Sequence, residues 1–427
     1  MTSEAREREA FVWVWLPGRT GPVVAGRLFE SDGQHLFIYG RSYLGRPDAI
    51  ALYDPELPLR PGVLAPPNGL PMPGCIRDAA PDAWGRRVIV NRHAGARGRD
   101  IDAVELDELD YLLASGSDRS GALDFQRSPT RYEPREVVPS PLETLLEAVD
   151  SVEKGIPLAP DLDAALFHGS SIGGARPKAM VVEGDRKFIA KFSSQSDVRS
   201  VVKAEYVAMR LAAEAGIRAA PVRLARAAGK DVLLVERFDR PKSPDGWLRR
   251  AMVSALTLLE LDEMMARYAS YGDLAAIIRR RFAAPRETLH ELFARLVFNV
   301  LCGNTDDHAR NHAAFWDGHR LELTPAYDIC PQPRTGGEAS QAMLIAGDDR
   351  RSRLDACLGA AATFQLHGDE ALALAARQIT VIRDRWAAVC AEAGLSEVDR
   401  IGLWRRQFLH PYAFEGAPPS LATLLPQ

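Results

Sequence analysis

Three side chains that carry oxygen atoms, Asp306, Asn311 and Asp328, lie in one short stretch of the chain. Between Asn311 and Asp328 the chain has two apolar runs separated by Asp317-Gly318, a dipeptide typical of a β-hairpin turn. Because a hairpin returns the chain, we expect Asn311 and Asp328 to lie toward the same open end. Carboxylate and amide oxygens are ligands that Mg²⁺ prefers, with phosphate oxygens completing its octahedron. The stretch therefore predicts a magnesium site that accepts a phosphate compound.

The spacing of these residues also indicates a reaction. Asn311 follows Asp306 by five positions, as in the catalytic loop of protein kinases, where the Asp accepts a hydroxyl proton and the Asn holds metal. Either residue alone more often makes turn or cap hydrogen bonds, so the prediction rests on the three together. We predict a phosphoryl-transfer centre with Asp306 as the base. Asp307 is the reserve candidate, and His308 is expected to brace the loop.

A glycine-rich segment at residues 169–178 precedes an apolar run that predicts a strand. Glycines let backbone amides approach phosphate oxygens closely, and hydroxyl groups and a lysine add donors. The segment lacks the GxxxxGK[ST] pattern of a Walker A loop. It is a candidate phosphate loop, and a plain hairpin turn would fit the same residues.

Two further charged residues could support phosphate binding. Residues 186–192 predict a strand with Lys191 near its end, and the helix predicted at residues 197–215 carries Glu205. In protein kinases, a lysine on a strand pairs with a carboxylate on a helix and binds the α and β phosphates of ATP. For either residue alone, an ordinary surface position fits as well. The strand predicted at residues 231–235 runs into a charged turn, which fits a hinge whose backbone would meet adenine.

The elements around these motifs indicate a small mixed domain followed by a helical region. Short apolar runs predict strands of a small sheet at residues 11–16, 23–29, 35–39 and 50–53. Helical spacing predicts helices in the second half at residues 250–268, 272–283, 285–302 and 367–393. The prolines between residues 129 and 160 mark the best domain boundary.

Composition excludes several classes of protein. The 427 residues include 53 Lys and Arg against 57 Asp and Glu, a net charge of −4, which argues against a dedicated nucleic-acid binder. The five cysteines form no CxxC pair, so neither a thiolate metal site nor a disulfide framework is expected. No run of about 18 apolar residues occurs, and the apolar run at residues 11–16 is too short for a signal peptide. We expect a cytoplasmic protein that does not enter a membrane.

Several separated motifs occur in the order found in one known family. The chain resembles the HipA toxins, serine/threonine kinases of bacterial toxin-antitoxin modules, over nearly its whole length. The motifs that carry the resemblance are SSIGGARPK, FIAKF, KAEY, LVERFDR, GNTDDHARN and LTPAYDI. The N-terminal part matches more loosely, through PDAWGRRVI and SGSDRSGALDF.

The resemblance implies a fold and a reaction. The fold would be α+β, two-lobed and protein-kinase-like, with a small N-terminal α/β accessory domain and a mostly α-helical C-terminal lobe. Its parts would be the accessory domain at residues 1–135, the kinase N-lobe with glycine-rich loop and hinge at 136–240, and the C-lobe with the catalytic loop at 241–427. The reaction would be ATP-dependent phosphorylation of protein serine or threonine, with Mg²⁺.

The resemblance also assigns roles to residues of this chain. Asp306 would be the catalytic base, and Asn311 and Asp328 would bind Mg²⁺. The other residues implied at the nucleotide are Ser171, Gly173, Gly174, Lys191 at the phosphates, Glu205, and Glu236 and Phe238 through their backbones at adenine. The loop serine whose autophosphorylation switches the family's kinases off aligns with Ser171, and the adjacent Ser170 remains open as an alternative.

Partners follow from the same resemblance. Family members pair with a helix-turn-helix HipB antitoxin that represses their operon, so operator DNA would be met mainly through the antitoxin. They phosphorylate aminoacyl-tRNA synthetases, notably the glutamyl enzyme, so a translation-related substrate is expected. The loop at residues 329–354 occupies the position of an activation or substrate loop, and its arginines at residues 350–353 could meet an acidic target or tRNA phosphate.

Two alternatives remain open from the sequence. A small-molecule phosphotransferase of the aminoglycoside type uses a similar base and metal arrangement, but it needs neither the N-terminal domain nor the serine-bearing loop. A catalytically quiet partner that binds an antitoxin and shapes its DNA affinity would belong to another class. The intact set of Asp306, Asn311 and Asp328 argues against that second alternative.

Overall fold

Strands and helices both occur in the part that the structure, a computed structural model, describes, with the two longest helices in the second half of the chain. The described residues are 8–97, 106–135, 139–167, 171, 173–194, 197, 199–334 and 336–425. The strands are β1 (Glu9–Val14), β2 (Val23–Ser31), β3 (Gln34–Tyr39), β4 (Val63–Leu64), β5 (Leu123–Gln126), β6 (Lys178–Glu183), β7 (Arg186–Phe192), β8 (Val222–Ala227), β9 (Lys230–Glu236), β10 (Lys242–Ser243), β11 (Gly246–Trp247), β12 (Met252–Ser254), β13 (Ala313–Trp316) and β14 (Leu321–Leu323). The α-helices are α1 (Arg41–Leu44), α2 (Gly74–Arg77), α3 (Ala83–Arg97), α4 (Glu108–Ala114), α5 (Leu142–Glu153), α6 (Pro160–Phe167), α7 (Val201–Glu214), α8 (Ala255–Leu258), α9 (Tyr271–Arg281), α10 (Pro285–Cys302), α11 (Leu354–Gly359), α12 (Gly368–Glu392), α13 (Glu397–Leu403) and α14 (Pro419–Ala422).

These elements form two compact units, and each unit is assembled from separate stretches of the chain. Unit 1 contains Met1–Gln195, Arg226–Val253 and Phe315–His319. Unit 2 contains Ser196–Ala225, Ser254–Ala314 and Arg320–Gln427.

An antiparallel sheet with strand order β4-β3-β2-β1-β5 forms the N-terminal part of unit 1. Its strands β1, β2 and β3 confirm the predictions at residues 11–16, 23–29 and 35–39. Apolar side chains alternate along β1 toward the core, where Ala10 and Val12 are fully buried. The sheet therefore arises from the period-2 pattern that the sequence shows.

The prediction of a strand at residues 50–53 is wrong. Only an isolated bridge between Tyr53 and Leu57 forms there. Two tyrosine hydroxyls satisfy the backbone of this segment in place of a strand partner. The Tyr39 hydroxyl accepts a hydrogen bond from the Leu52 N–H at 2.9 Å, and the Tyr43 hydroxyl donates to the Ile50 carbonyl at 2.8 Å. These long-range contacts override the local strand preference.

A second antiparallel arrangement in unit 1 places β7 between β6 and β9. The register pairs Lys191 of β7 with Lys178 of β6 on one side and with Leu233 of β9 on the other. β7 has the bounds predicted from the sequence, and β9 contains the strand predicted at residues 231–235.

Helix α10 forms the centre of unit 2. Its side chains from Leu292 to Cys302 are all buried, as expected of a helix that is apolar on nearly every face. Helix α12 packs beside it, and the Gln378 side chain donates a hydrogen bond to the Ala294 carbonyl at 2.9 Å. Helices α9, α10 and α12 confirm the predictions at residues 272–283, 285–302 and 367–393.

The prediction of a long helix at residues 250–268 is wrong. The segment contains β12, the four-residue helix α8 and a 3₁₀ turn at Ala266–Tyr268. Ser254 caps α8 by accepting a hydrogen bond from the Thr257 N–H, so the helix cannot begin earlier. Glu260 follows with φ of +55°, a left-handed conformation that ends the helix.

Candidate active site

The loop that contains Asp306 leaves helix α10 through a fixed turn. Gly303 has φ of +73° and closes the helix, and a Cβ atom there would lie 2.8 Å from the Gln407 carbonyl oxygen. The following residue, Asn304, is buried and bonds back to Asn299 through its backbone N–H at 2.9 Å and its side-chain amide at 3.1 Å. Glycine is therefore required at position 303, and the loop starts from a rigid base.

The reserve candidate Asp307 is committed to a structural contact. The residue is 2% exposed, and its Oδ1 lies 3.0 Å from His312 Nε2. The Tyr271 hydroxyl donates a hydrogen bond to its other oxygen. Burial by itself would raise the pKa of Asp307, but His312 and these hydrogen bonds hold it below its usual value. Asp307 therefore anchors the loop to helix α9 and points away from solvent.

Asp306 is exposed to solvent, unlike Asp307, and the backbone of the residues that follow it turns back toward its carbonyl group. Its carbonyl oxygen accepts hydrogen bonds from the His308 N–H at 2.9 Å and from the Asn311 side-chain Nδ2 at 3.1 Å. The Asn311 N–H in turn bonds to the His308 carbonyl at 2.8 Å. The amide nitrogen of Asn311 is thus used within the loop, which turns its oxygen toward the other side.

The predicted hairpin between Asn311 and Asp328 forms, with β13 and β14 as its strands. The Thr324 N–H donates to the Ala313 carbonyl at 3.0 Å across it. At its open end the Tyr327 hydroxyl donates to the Arg310 carbonyl at 2.7 Å, which ties the residues before Asp328 to those before Asn311. The structure thereby brings Asp306, Asn311 and Asp328 to one end of the hairpin in unit 2.

Burial and neighbouring charges both raise the pKa of Asp306. Its carboxyl faces solvent, but the packed loop still removes part of its hydration, which raises the pKa. The charges of Asp328 and Asp307 raise it further, and His308 opposes them. Asp328 itself has φ of +59°, a strained conformation for a residue with a Cβ atom.

The donor set fits a divalent cation that also binds phosphate. The charge of Asp328 raises the pKa of Asp306, and two carboxylates with an amide oxygen beside them favour a positive charge between them. In the described part of the chain, no group of three or more His, Cys, Asp or Glu side chains could hold a metal alone. A cation bound by Asn311 and Asp328 would complete its coordination with oxygens of water or phosphate.

The glycine pair of the candidate phosphate loop packs against residues of unit 1 that the sequence did not indicate. The Gly174 N–H donates to Asp82 Oδ2 at 2.5 Å, and a Cβ atom on Gly173 would lie 2.7 Å from that oxygen. The buried Lys178 ammonium donates to the Gly173 carbonyl. The backbone comes close to these groups because positions 173 and 174 lack side chains.

Ser171 lies in the same unit and is 1% exposed. Its hydroxyl donates to the Asp118 carbonyl at 3.3 Å. The alternative residue Ser170 lies outside the described residues.

The lysine and glutamate predicted to act together belong to different units. Lys191 is half-buried on β7 in unit 1. Glu205 is 2% exposed on α7 in unit 2. Their pairing remains a prediction.

The hinge residues lie at the end of β9 in unit 1. Glu236 is the last residue of β9, and its carboxylate lies 3.8 Å from Arg186. The Phe238 ring packs edge-on against Phe315 at 5.8 Å.

Between and after these hinge residues lies a buried charge network that sequence reasoning missed. Asp118 Oδ1 lies 3.0 Å from Arg237 and 2.7 Å from Arg240, and its Oδ2 lies 2.5 Å from Lys187. Asp239 binds both arginines as well, at 2.7 and 2.8 Å. We call these residues the Asp118 network.

Burial opposes ionisation of Asp118, yet the surrounding cations hold the pKa of its carboxyl well below its usual range. The charged runs in SGSDRSG and LVERFDR were the available signal.

The arginines at residues 350–353 are mostly neutralised locally. Arg351 pairs with Asp349 at 2.6 Å, and Arg353 pairs with Asp355 at 2.5 Å. Arg350 donates to the Arg267 carbonyl at 2.8 Å. The loop therefore presents less positive charge than its sequence suggests.

Two protein-family models match this chain. The HipA-like C-terminal domain matches residues 170–393, more than half of the chain, and the HipA N-terminal domain matches residues 14–126. The chain belongs to the HipA family. A chain of the solved complex of Shewanella oneidensis HipA, HipB and operator DNA superposes with a TM-score of 0.69, at 18% identity, covering 97% of this chain and 99% of that one. The likeness confirms the predicted α+β, two-lobed kinase-like fold.

The curated relatives named below are less than 30% identical to this chain. The serine/threonine-protein kinase toxin HipA of Shewanella oneidensis is 27% identical over 187 residues, which cover 37% of this chain and 42% of the relative. Y4mE of Sinorhizobium fredii, whose name describes a kinase, is 29% identical over 233 residues, covering 50% and 55%. This HipA-family chain thus spans about half the length of the curated relatives it matches. None of the helices in its described part has the length and apolar character needed to cross a membrane.

Proposed function

We propose that this chain is an ATP-dependent protein serine/threonine kinase and the toxin of a HipA/HipB-like toxin-antitoxin pair. The observation that carries the proposal is the meeting of Asp306, Asn311 and Asp328 at one end of a hairpin, where Asp328 raises the pKa of Asp306. Membership of the HipA family and the kinase names of its relatives support it.

In the proposed reaction, Asp306 accepts the proton of a serine or threonine hydroxyl as that oxygen attacks the γ-phosphorus of ATP. A new oxygen–phosphorus bond forms, the bond to the β-phosphate oxygen breaks, and ADP leaves. The raised pKa of Asp306 makes its carboxylate a better proton acceptor than a free carboxylate. Asp307 cannot take this role without giving up Tyr271 and His312.

The other nucleotide contacts follow from the family resemblance. Asn311 and Asp328 would hold Mg²⁺, which would neutralise charge on the phosphates. Lys191, paired with Glu205, would bind the α and β phosphates, beside Gly173 and Gly174 of the loop. The backbones of Glu236 and Phe238 would meet adenine.

Autophosphorylation is proposed at Ser171. Because this side chain is 1% exposed, the loop must move outward before its hydroxyl can reach a phosphoryl donor. A phosphate near −2 charge could not return to the buried position beside the Asp118 carbonyl, which would keep the loop displaced. The modification would thus switch the kinase off.

A HipB-like antitoxin is the proposed partner, supported by the likeness to a chain of the HipA, HipB and operator DNA complex. Operator DNA would be bound mainly through that antitoxin. The proposed substrate is a translation-related protein such as an aminoacyl-tRNA synthetase.

The test is transfer of labelled γ-phosphate from ATP to the protein itself. We expect the intact chain to label itself, Asp306→Ala to lose at least about a hundredfold of the rate, and Asp369→Asn, at an exposed position on α12 of the same unit, to label normally. Unchanged labelling of Asp306→Ala would refute the site assignment. Transfer to small hydroxyl compounds but to no protein would favour the small-molecule phosphotransferase instead.

A further inference from the structure

An acidic side chain lies where the proposed function places a nucleotide phosphate. The Asp82 carboxylate accepts the hydrogen bond of the Gly174 N–H at 2.5 Å. We propose that Asp82 is an internal competitor of nucleotide phosphate, a positioning residue that holds the Gly173–Gly174 turn until ATP displaces it. The inference rests on the proposed function, because it assumes that ATP binds this turn through its phosphates.

The groups around the Asp82 carboxylate form a cradle for an anion. The Gly174 N–H points at it, and the Lys178 ammonium lies so close to Gly174 that a Cβ atom there would overlap it. Lys178 is 5% exposed and donates to the Gly173 carbonyl. A backbone N–H and a lysine beside two glycines are the donors that phosphate-binding loops use.

Asp82 is held in this cradle by the start of helix α3. Its carbonyl accepts the hydrogen bond of the Arg86 N–H at 2.8 Å, which makes Asp82 the N-cap residue immediately before the helix. Two residues later, the Trp84 N–H donates to the Gly174 carbonyl at 3.3 Å and its indole N–H to the Lys178 carbonyl at 2.9 Å. The Asp82 carboxylate therefore reaches the turn from the start of helix α3, which is hydrogen-bonded through Trp84 to Gly174 and to Lys178.

Competition follows from the chemistry of the two anions. One N–H cannot donate at full strength to a carboxylate and a phosphate oxygen together, and two anions in contact repel each other. ATP and ADP must therefore move the Asp82 side chain before their phosphates bind, and this lowers their affinity. Adenosine carries no phosphate and does not meet this barrier.

The experiment compares nucleotide affinities of the full-length chain and its Asp82→Asn and Asp82→Ala variants by calorimetric titration. We expect Asp82→Ala to bind ATP and ADP about fivefold tighter, since about one hydrogen bond no longer has to be broken. Asp82→Asn should gain less, because its amide oxygen can still accept from the Gly174 N–H and only the charge repulsion is removed. Adenosine affinity should change by less than about twofold. Asp32→Asn, at an exposed turn of the same unit, is the matched control and should bind like the unmodified chain.

Each other outcome is decisive. Unchanged or weaker ATP binding in Asp82→Ala, or an equal gain for adenosine, would show that Asp82 only supports the loop and would overturn the inference. If the unmodified chain binds adenosine and ATP and the variants do not respond, the proposed function stands and only this inference fails. If the unmodified chain binds neither compound, both fail.

A second measurement needs no variant. Because the Gly174 N–H would pass from the Asp82 carboxylate to a nucleotide phosphate, its amide resonance in the unmodified chain should shift when ATP or ADP saturates the protein and not when adenosine does. An unshifted Gly174 resonance, with ATP shown to be bound, would contradict the inference even if the Asp82 variants failed to fold.

Discussion

Asp306 and Asp307 are neighbours in the chain whose environments act on them in opposite directions. The loop and Asp328 raise the pKa of Asp306, whereas His312 and Tyr271 lower that of Asp307. When two carboxyls are separated in this way, the one that is easier to protonate suits proton transfer and the other suits a structural role. The five-residue spacing to Asn311 had already favoured Asp306.

We predict that Asp306→Asn raises thermal stability at neutral pH. A carboxyl whose folded pKa lies above its unfolded pKa costs stability once both states are ionised, and this cost disappears as the pH falls below the unfolded value. The variant should melt roughly 1–3 °C higher at pH 7 and equally at about pH 3. Scanning calorimetry at both values measures it, with Asp348→Asn as control. A lower melting temperature of Asp306→Asn than of the unmodified chain at pH 7 would contradict a raised pKa of Asp306.

We predict the opposite sign for Asp307→Asn. A carboxyl with a lowered folded pKa stabilises the protein above its unfolded pKa, and the stabilisation is lost as pH falls through the folded value. Urea unfolding at pH 7 should show a loss of roughly 3 kcal/mol, because a buried pair is broken, and the difference should shrink in acid. Tyr271→Phe, which removes one donor to the same carboxylate, should cost about 1.5 kcal/mol. Equal stability of Asp307→Asn and the unmodified chain would exclude the anchoring role.

At the scale of elements, the Asp118 network joins the loop before β5 to the hinge after β9. Asp118 comes from SGSDRSG and its arginines from LVERFDR, more than 100 positions apart, and all of them are buried in unit 1. Each motif in isolation reads as a charged surface turn. Only the fold shows that the charges neutralise one another inside the protein.

We predict that Asp118→Ala destabilises unit 1 by roughly 3–5 kcal/mol at pH 7, because it leaves buried cations without their partner. The lowered pKa of Asp118 means that its full contribution is present at neutral pH and is lost only in strong acid. Urea unfolding followed by tryptophan fluorescence measures the change. Asp150→Ala removes the more exposed pair with Lys230 in the same unit and should cost less than about 1 kcal/mol. Similar losses in the two variants would refute the network's role.

Elements in which apolar residues recur with a regular period were predictable from the sequence. Elements that depend on residues distant in the chain were not. The alternation in β1 to β3 and the apolar faces of α9, α10 and α12 are local properties of the sequence. The segment at residues 50–53 is instead decided by the hydroxyls of Tyr39 and Tyr43. The segment at residues 250–268 is decided by the Ser254 cap and the left-handed Glu260.

At the scale of the whole molecule, the tip of the β13–β14 hairpin belongs to unit 1. The Trp316 indole N–H donates to the Ala51 carbonyl at 2.9 Å, and its ring packs edge-on against Tyr53 at 5.6 Å. A Cβ atom on Gly318 would lie 2.6 Å from Ile50. The chain near residue 50 therefore holds the hairpin tip within unit 1.

We predict that the remainder of unit 1 does not fold cooperatively in a chain lacking residues 1–126. Unit 1 would lose the sheet β1–β5, the acceptor of Trp316 and the anion of the Asp118 network together. Calorimetry should show no transition from the remainder of unit 1, whereas Trp316→Phe in the full chain should melt within a few degrees of the unmodified protein. The predicted domain boundaries at residues 135 and 240 remain a prediction. A cooperative transition of the remainder of unit 1 in the truncated chain would support them.

The amino-acid sequence by itself determined the short-range features: the interval between Asp306 and Asn311, the Asp-Gly turn of the hairpin and the amphipathic helices. These depend on residues a few positions apart, where spacing and periodicity act directly. Only the tertiary structure decided which carboxylate is anchored, what fills the cradle at Gly174 and where the charges of Asp118 are neutralised. Those outcomes depend on burial and on partners tens to hundreds of positions away, and desolvation makes the energy of a charge depend on the neighbours that the fold supplies.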